Sequence, residues 1–208
     1  MTEILYCKTR DVKSPRRYTP EDAGVDWYIP NYETYDGDVD LGEAPIIPSD
    51  EAEEFLKDLK EKNAGRDILY IEPTSSDETL KIVIGPHERI LIPSGIKVKI
   101  KRNWLRKILH KVIGLGDALN AENKSGVANK KGLEIGSKVV DYEYQGEVHL
   151  SVINTTNKPV TIESGEKLVQ FIHYPIYLSE YNRIPESVYN NFEKSKRGAG
   201  GFGSSNTK

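Results

Sequence analysis

The chain has 208 residues, of which 37% are hydrophobic and 29% are charged, so it can bury one sizeable core. Its net charge of −3 provides no overall field that would recruit nucleic acid, so an anionic ligand must be held by local groups or a metal ion. The single cysteine, Cys7, excludes an internal disulfide framework and fits a reducing compartment. The first residues lack the apolar core of a signal peptide, and no apolar run is long enough to span a bilayer. We expect a cytoplasmic protein (host-cell cytoplasm if the source is viral) without nucleic-acid or membrane partners.

The chain begins with a predicted strand, Ile4 to Thr9, and a second extended stretch contains AGVDWY at residues 23–28. The small Gly24 permits close backbone approach, and alternation directs Asp26 away from Trp27. An aspartate within a strand is disfavoured by propensity, which makes Asp26 a candidate functional residue. A carboxylate that only caps a loop explains the stretch equally well.

Residues from about 31 to 80 resemble an insertion that is acidic at first and then carries one helix. Asp50 and Glu53 can form a capping pair, and the sequence Asn63-Ala64-Gly65 ends the helix. Its apolar residues fall on one face, which predicts a packing surface: Ala52, Phe55, Leu56 and Leu59.

Strands are predicted at residues 80–84 and twice within 85–100, and a basic amphipathic helix follows at Lys101 to Gly116. Such a helix can lie on a membrane or an anionic partner. Because the stripe is short and the chain is not basic overall, we expect it to dock on the protein's own core. The stripe consists of Trp104, Leu105, Ile108, Leu109, Val112 and Ile113.

Residues 123–136 read as a small-residue turn with cations. Ser125 and Gly126 can offer a hydroxyl and backbone N–H groups to a phosphate, and Lys124 adds a point charge. Simple solvation of the lysines is the alternative.

The stretch Gly136 to Glu147 predicts a β-hairpin that turns at Gln145-Gly146 into the alternating run EVHLSVIN, with Asp141 and a tyrosine at its mouth. Further short strands follow, and in the last of them Gln170 is a polar residue that needs a hydrogen-bond partner if it is buried. Many short strands with turns between them indicate an all-β sandwich or barrel.

The last residues contain RGAGGFGSS, in which glycines free the backbone N–H groups to wrap phosphate oxygens. Arg197 can bind such oxygens bidentately, and Phe202 can stack on a planar base. The composition predicts a lid that orders over a nucleotide, with a disordered terminus as the alternative.

Five stretches, in order, resemble the motifs of the trimeric dUTPase family: AGVDWY, KSGVA, GSKVVDYEYQG, KLVQ and RGAGGFGSS. The resemblance reaches from the first strand to the tail and omits only two insertions, at about 31–80 and 101–120. It implies an all-β jelly-roll β-barrel protomer with two helix-containing insertions, a single domain over 1–208, and a flexible C-terminal arm over 194–208. It also implies a homotrimer in which several subunits build each active site.

The resemblance implies hydrolysis of dUTP to dUMP and pyrophosphate, with water attacking the α-phosphate and Mg²⁺ on the triphosphate. This reaction keeps uracil out of DNA and supplies dUMP. By this resemblance Asp141 is the catalytic base, Tyr144 packs under the deoxyribose, and Asp26 acts on the metal through water. The other residues that match substrate-binding positions are Lys124, Ser125, Gly126, Gly136, Gln170, Arg197, Phe202, Gly203, Ser204 and Ser205.

The chain departs from the family pattern at Lys124 (usually Arg), Lys138 (usually Gly), Glu143 (usually Asp) and Trp27 (usually Leu). Two alternatives stay open beside dUTP hydrolysis. A regulatory protein of this fold would act through its insertions, and a relative would have altered nucleotide specificity. A dCTP deaminase is disfavoured because that chemistry needs a glutamate one strand after the hairpin, and residues 149–154 contain no acid.

Overall fold

The computed structural model describes residues 2–31, 49–73, 79–193 and 195, and the chain divides into two compact units, Met1–Tyr177 and Leu178–Lys208. The strands are β1 Glu3–Lys8, β2 Val25–Tyr28, β3 Ile68–Ile71, β4 Lys81–Ile84, β5 Arg89–Pro93, β6 Ile96–Lys101, β7 Leu115–Asn123, β8 Leu133–Ile135, β9 Val139–Asp141, β10 His149–Asn154, β11 Val160–Glu163 and β12 Lys167–Tyr177. The helices are α1 Ser49–Lys62, α2 Trp104–Ile113, α3 Ser125–Lys131 and α4 Glu186–Tyr189.

The strands of the first unit form antiparallel sheets of order β1–β6, β5–β10–β8, β11–β4–β3 and β2–β12–β7–β9. Along β6 and β10, buried residues alternate with more exposed ones, because successive side chains of a strand point to opposite faces. The buried faces contribute isoleucine, leucine and valine to one core. The prediction of an all-β protein is confirmed.

The first insertion packs on this core through α1, as its apolar face predicts. Phe55 and Leu59 are fully buried, and Asn63 bonds to the backbone of β5 in both directions: its Nδ2 donates to the Leu91 oxygen at 2.9 Å, and its Oδ1 accepts from the Leu91 nitrogen at 2.8 Å. The insertion also contains β3, which the sequence reading missed, and β3 extends the sheet by pairing with β4.

The second insertion forms the predicted helix, α2, but the expectation that its stripe docks on the core is wrong for this protomer. None of its residues is buried, and Trp104 is 72% exposed and Val112 73% exposed. Asn103 caps the start of the helix, where its side chain accepts a hydrogen bond from the Arg106 nitrogen, and Gly114 caps the end in the left-handed region at φ 64°. Polar contacts at its first turn, described below, hold it.

Two local predictions around the candidate site are also wrong. Residues 125–131 form α3, which ends at the left-handed Gly132 (φ 65°), where a turn was expected. The hairpin expected at Gln145-Gly146 does not form, because β9 pairs with β7 while β10 pairs with β5 and β8. Asp141 therefore lies on the edge strand of a different sheet from the run EVHLSVIN.

The second unit contains the short helix α4, and the ring of its last residue, Tyr189, meets the Phe192 ring edge to face with centroids 6.0 Å apart. Within the described ranges of both units, we find no helix with the length and apolar character needed to cross a membrane.

Candidate active site

Three neighbouring strands bring the first group of predicted site residues together. Asp26 on β2 lies opposite Gln170 on β12, and Gln170 lies opposite Glu122 on β7. Lys124 follows the end of β7 and precedes α3. Residues from three separate motifs therefore share one end of the sheet, and we call this group the phosphate half-site.

The residue Asp26 is only 8% exposed, so its carboxylate requires compensating partners. The Lys124 ammonium pairs with its Oδ1, and the Lys167 Nζ lies 3.3 Å from its Oδ2. Two lysines thus bracket the carboxylate. This arrangement places two cations where a phosphate chain can be received.

Gln170 finds the hydrogen-bond partner that its position demands: its Nε2 donates to the Asn123 oxygen at 2.8 Å. A Cβ added at Gly24 would lie 2.1 Å from the Gln170 Oε1. Gly24 is therefore needed for space, as its place in the first motif predicts. Ser125 and Gly126 follow Lys124 directly and are exposed to solvent.

The second group, the hydrolytic half-site, lies around β9. Asp141 is the last residue of this three-residue strand and pairs with Ala118 on β7. Its side chain is exposed, and in the described part of the chain no hydrogen bond or ion pair engages the carboxylate. An unpaired carboxylate at a strand end is free to orient a water molecule.

Hydrogen bonds to backbone oxygens hold Tyr144 and Gly136, which lie on either side of Asp141 in the sequence. The Tyr144 hydroxyl donates to the Glu147 oxygen at 2.8 Å, and a Cβ at Gly146 would lie 2.5 Å from that hydroxyl. The Gly136 nitrogen donates to the Ser151 oxygen at 2.9 Å. The Tyr144 ring is therefore held in place while 42% of the residue stays exposed.

The structure accommodates two of the departures from the family pattern, Lys138 and Trp27. Among described non-glycine residues only His87 has a positive φ, so the backbone at Lys138 does not require glycine; its side chain is exposed and its oxygen accepts from the Ala121 nitrogen at 2.7 Å. Trp27 is buried against Phe171, with ring centroids 4.3 Å apart.

A buried charge cluster behind β9 was not foreseen from the sequence. Asp117 is 2% exposed and accepts from the Arg102 Nε at 2.5 Å, from Arg106, and from the His173 Nε2 at 3.0 Å. Burial alone would raise the pKa of Asp117, but these hydrogen bonds outweigh it and hold the pKa below its ordinary value. This cluster joins α2 to β7 and β12.

The Glu147 carboxylate, which directly follows the third motif, also has a structural partner that the sequence did not reveal. It accepts from the Arg10 Nε at 3.0 Å and from the Gly95 nitrogen at 2.6 Å. Arg10 also donates to the Asp58 Oδ2 of α1 at 2.6 Å. The first insertion is thus tied to the loop that carries Tyr144.

The two half-sites do not meet within one protomer. On β7, Asp141 is opposite Ala118 and Gln170 is opposite Glu122, and β9 is separated from β2 by β7 and β12. With about 3.4 Å per residue and about 4.8 Å between strands, the backbones of Asp26 and Asp141 are roughly 20 Å apart. This is far beyond hydrogen-bond reach of a common phosphate.

The remaining predicted residues lie outside the residues that the structure describes. They are Arg197, Phe202, Gly203, Ser204 and Ser205.

Comparisons with known proteins define the class of the fold first. The chain is similar over 97% of its length, and 97% of the other chain, to the dUTPase of Staphylococcus bacteriophage 80alpha solved with dUPNHPP, with a TM-score of 0.58 and 18% identity. It is also similar to native EIAV dUTPase (TM-score 0.50, 17% identity, 88% and 98% covered). A dUTPase from phage phi11 of S. aureus, in a mutant structure that reports coordination of a structural Mg(II) ion, gives a TM-score of 0.52 at 15% identity, with 88% and 96% covered. The predicted jelly-roll fold is confirmed.

Sequence comparison then gives the family. The dUTPase family model matches residues 123–206. The deoxyuridine 5'-triphosphate nucleotidohydrolase of Shewanella pealeana is 34% identical over 148 residues, which cover 70% of this chain and 82% of that relative. This chain belongs to the dUTPase family.

Proposed function

We propose that this chain hydrolyses dUTP to dUMP and pyrophosphate in sites that are shared between the protomers of a homotrimer. The dUTP-hydrolysing activity predicted from the sequence is confirmed at the level of the family. The observation that supports shared sites is the separation of the half-sites: each carries part of the chemistry, and the two are roughly 20 Å apart in one protomer. A cyclic assembly can bring the hydrolytic half-site of one protomer against the phosphate half-site of its neighbour.

In this proposal Asp141 is the general base. Hydrolysis at the α-phosphorus needs a water molecule in line with the leaving pyrophosphate and a carboxylate that orients and deprotonates it. The exposed and unpaired carboxylate of Asp141 supports this role. Tyr144 would pack under the deoxyribose, where a flat ring leaves no room for a 2′-hydroxyl, and the neighbouring backbone would read uracil.

The phosphates would bind Lys124, Ser125, Gly126 and Gln170. Lys124 is paired with Asp26, so it would exchange this carboxylate for a phosphate oxygen when substrate binds. Lys124 offers a phosphate a point charge without the fork of arginine. The neighbouring Lys167 lies on the other oxygen of Asp26 and would keep that carboxylate paired during the exchange.

The residues present fit a Mg²⁺ ion that arrives with the triphosphate. The described residues contain no group of three or more side chains suited to hold a metal, and Mg²⁺ is commonly bound by one or two carboxylates, water and substrate phosphates. Asp26 would accept hydrogen bonds from the waters of the ion. The bound ion would neutralise charge on the phosphate oxygens.

The tail of a third protomer would close the site. Arg197, Ser204 and Ser205 would bind the γ-phosphate end, Gly203 would contact the phosphates, and Phe202 would cover uracil. We place the reaction in the cytoplasm, where it would supply dUMP and keep uracil out of DNA.

The test is pyrophosphate release from dUTP, dCTP, dTTP and UTP by the wild-type chain and by Asp141→Asn. We expect strong preference for dUTP, and we expect Asp141→Asn to abolish turnover while it still binds a non-hydrolysable dUTP analogue. Comparable rates on dTTP or UTP would refute the specificity. Ammonia release from dCTP would instead support the deaminase alternative.

A further inference from the structure

The loop that carries the proposed base is weakly held by its own backbone. The pairing of β9 with β7 involves three residues and ends at Asp141, and the chain then turns, with the Tyr144 nitrogen donating to the Asp141 oxygen at 3.1 Å. The side chain of Asp141 is exposed and gains no support from packing. Its direction therefore depends on what fixes the next residue, Tyr142.

Tyr142 is covered by a guanidinium group from the second insertion. The Arg102 Cζ lies 3.7 Å from the centroid of the Tyr142 ring, well within the distance of about 6 Å at which a cation is attracted to a ring face. The Lys99 Nζ approaches the same ring only to 5.5 Å. Arg102 is thus the closer of the two cations and, because it is planar, the one that can stack.

Arg102 is itself immobilised. Its side chain is 6% exposed, and its Nε donates to the fully buried Asp117 at 2.5 Å. Asp117 is held in turn by Arg106 of α2 and by His173 of β12. A fixed guanidinium stacked on Tyr142 restrains the residue that follows Asp141.

We propose that Arg102 is a positioning residue for catalysis: anchored on Asp117 and stacked on Tyr142, it sets the direction of the Asp141 carboxylate. This rests on the proposed function, in which Asp141 activates the water. The second insertion then has a role in turnover, since its residues Arg102 and Asp117 hold Tyr142 in the hydrolytic half-site. The role needs no contact between Arg102 and substrate.

The test uses Tyr142→Leu, which removes the ring and leaves the buried ion pairs in place, because Arg102→Met exposes Asp117 to the loss of a partner and can unfold the chain. We expect Tyr142→Leu to lower kcat for dUTP by about 10- to 100-fold, the size of effect that a small misplacement of a reacting group produces. KM and the affinity for a non-hydrolysable dUTP analogue stay within about threefold, because substrate binding is left intact.

Two variants accompany it. Tyr142→Phe keeps the stacked ring and recovers most of the lost turnover, whereas Lys99→Ala, at the more distant cation, stays within about twofold of wild type. Where Arg102→Met folds, as judged by its melting temperature, it shows the same loss of kcat as Tyr142→Leu, and the double variant loses no more than either.

The outcomes separate this inference from the proposed function. If the wild-type chain releases no pyrophosphate from dUTP, the proposed function fails and the inference fails with it. If the wild-type chain is active and Tyr142→Leu matches its kcat, or if Tyr142→Leu raises KM as much as it lowers kcat/KM, the inference alone is overturned.

Discussion

The substitution Gly24→Ala tests the geometry of the phosphate half-site. The new Cβ would lie 2.1 Å from the Gln170 Oε1, 2.8 Å from its Cδ and 3.2 Å from its Cβ. Non-bonded heavy atoms ordinarily lie at least about 3.5 Å apart, so the Gln170 Oε1 must move away from the new Cβ by more than about 1 Å. The amide then leaves the Asn123 oxygen, to which it donates at 2.8 Å.

Losing this hydrogen bond costs about 0.5–1.5 kcal/mol in stability, because the bond replaces one to water. In the proposed function Gln170 is also withdrawn from the phosphate, and about 1.4 kcal/mol of lost binding corresponds to tenfold in affinity. We therefore expect Gly24→Ala to raise KM for dUTP about tenfold while the melting temperature falls by only a few degrees. Steady-state pyrophosphate release gives KM, and thermal unfolding followed by circular dichroism gives the stability.

A double-mutant cycle isolates the cause. If Gly24→Ala acts by displacing Gln170, the double variant with Gln170→Ala has the KM of Gln170→Ala alone. Two losses that multiply would refute the reasoning, because they would show that Gly24 affects substrate binding by another route.

Three further predictions concern stability, measured by urea unfolding. Asp117→Asn should lower the free energy of unfolding by about 3–5 kcal/mol at pH 7, since it breaks a buried ion pair. Because the pKa of Asp117 in the folded chain lies below the ordinary 3.8, the wild type should lose this extra stability over the variant as the pH falls below about 4. A stability difference that persists undiminished below that pH would show that the Asp117 carboxylate does not carry it. Glu147→Gln should lower the free energy of unfolding by about 1–3 kcal/mol, because it weakens the hydrogen bonds from Arg10. An unchanged urea midpoint would show that these bonds do not stabilise the fold. Burial, reinforced by the charge of Lys62, lowers the pKa of His149 below 6.5. As the pH falls, the unfolded chain therefore binds this proton before the folded chain does, and the free energy of unfolding should decrease below about pH 6.5. His149→Gln should flatten this decrease with pH.

Local patterns predicted the elements of the fold well. The helix α1 was recognisable because the predicted capping pair and the apolar face lie within a few residues of one another in the sequence, and Phe55, Leu56 and Leu59 of that face are buried as expected. The stripe of α2 was equally clear, but an amphipathic pattern identifies a face and does not identify what covers it. The exposure of Trp104 could therefore be learned only from the structure.

Strand partners were harder to predict than strands. The run Val139–Asp141 was recognised as extended, yet it pairs with β7 rather than with the next strand along the chain. The local sequence of a strand identifies its buried face, and it does not identify the strand with which it pairs. For the same reason the sequence did not predict the contacts among Arg102, Asp117 and Tyr142. Arg102 was predicted as one of several basic residues near α2, and nothing in its neighbourhood in the sequence indicates that it binds Asp117 and covers Tyr142.

The central claim, that each active site combines half-sites from different protomers, can be tested by mixing two variants, each impaired in a different half-site. Asp141→Asn lacks the proposed base and should be inactive, and Gln170→Ala lacks a proposed phosphate ligand and, at dUTP concentrations well below KM, should keep about a tenth of the wild-type rate. When the two are unfolded together in equal amounts and refolded as mixed trimers, about a quarter of the sites should combine an intact Asp141 with an intact Gln170 from a neighbour. Pyrophosphate release from dUTP should therefore recover to about a quarter of the wild-type rate, whereas a mixture no more active than its components would contradict the account.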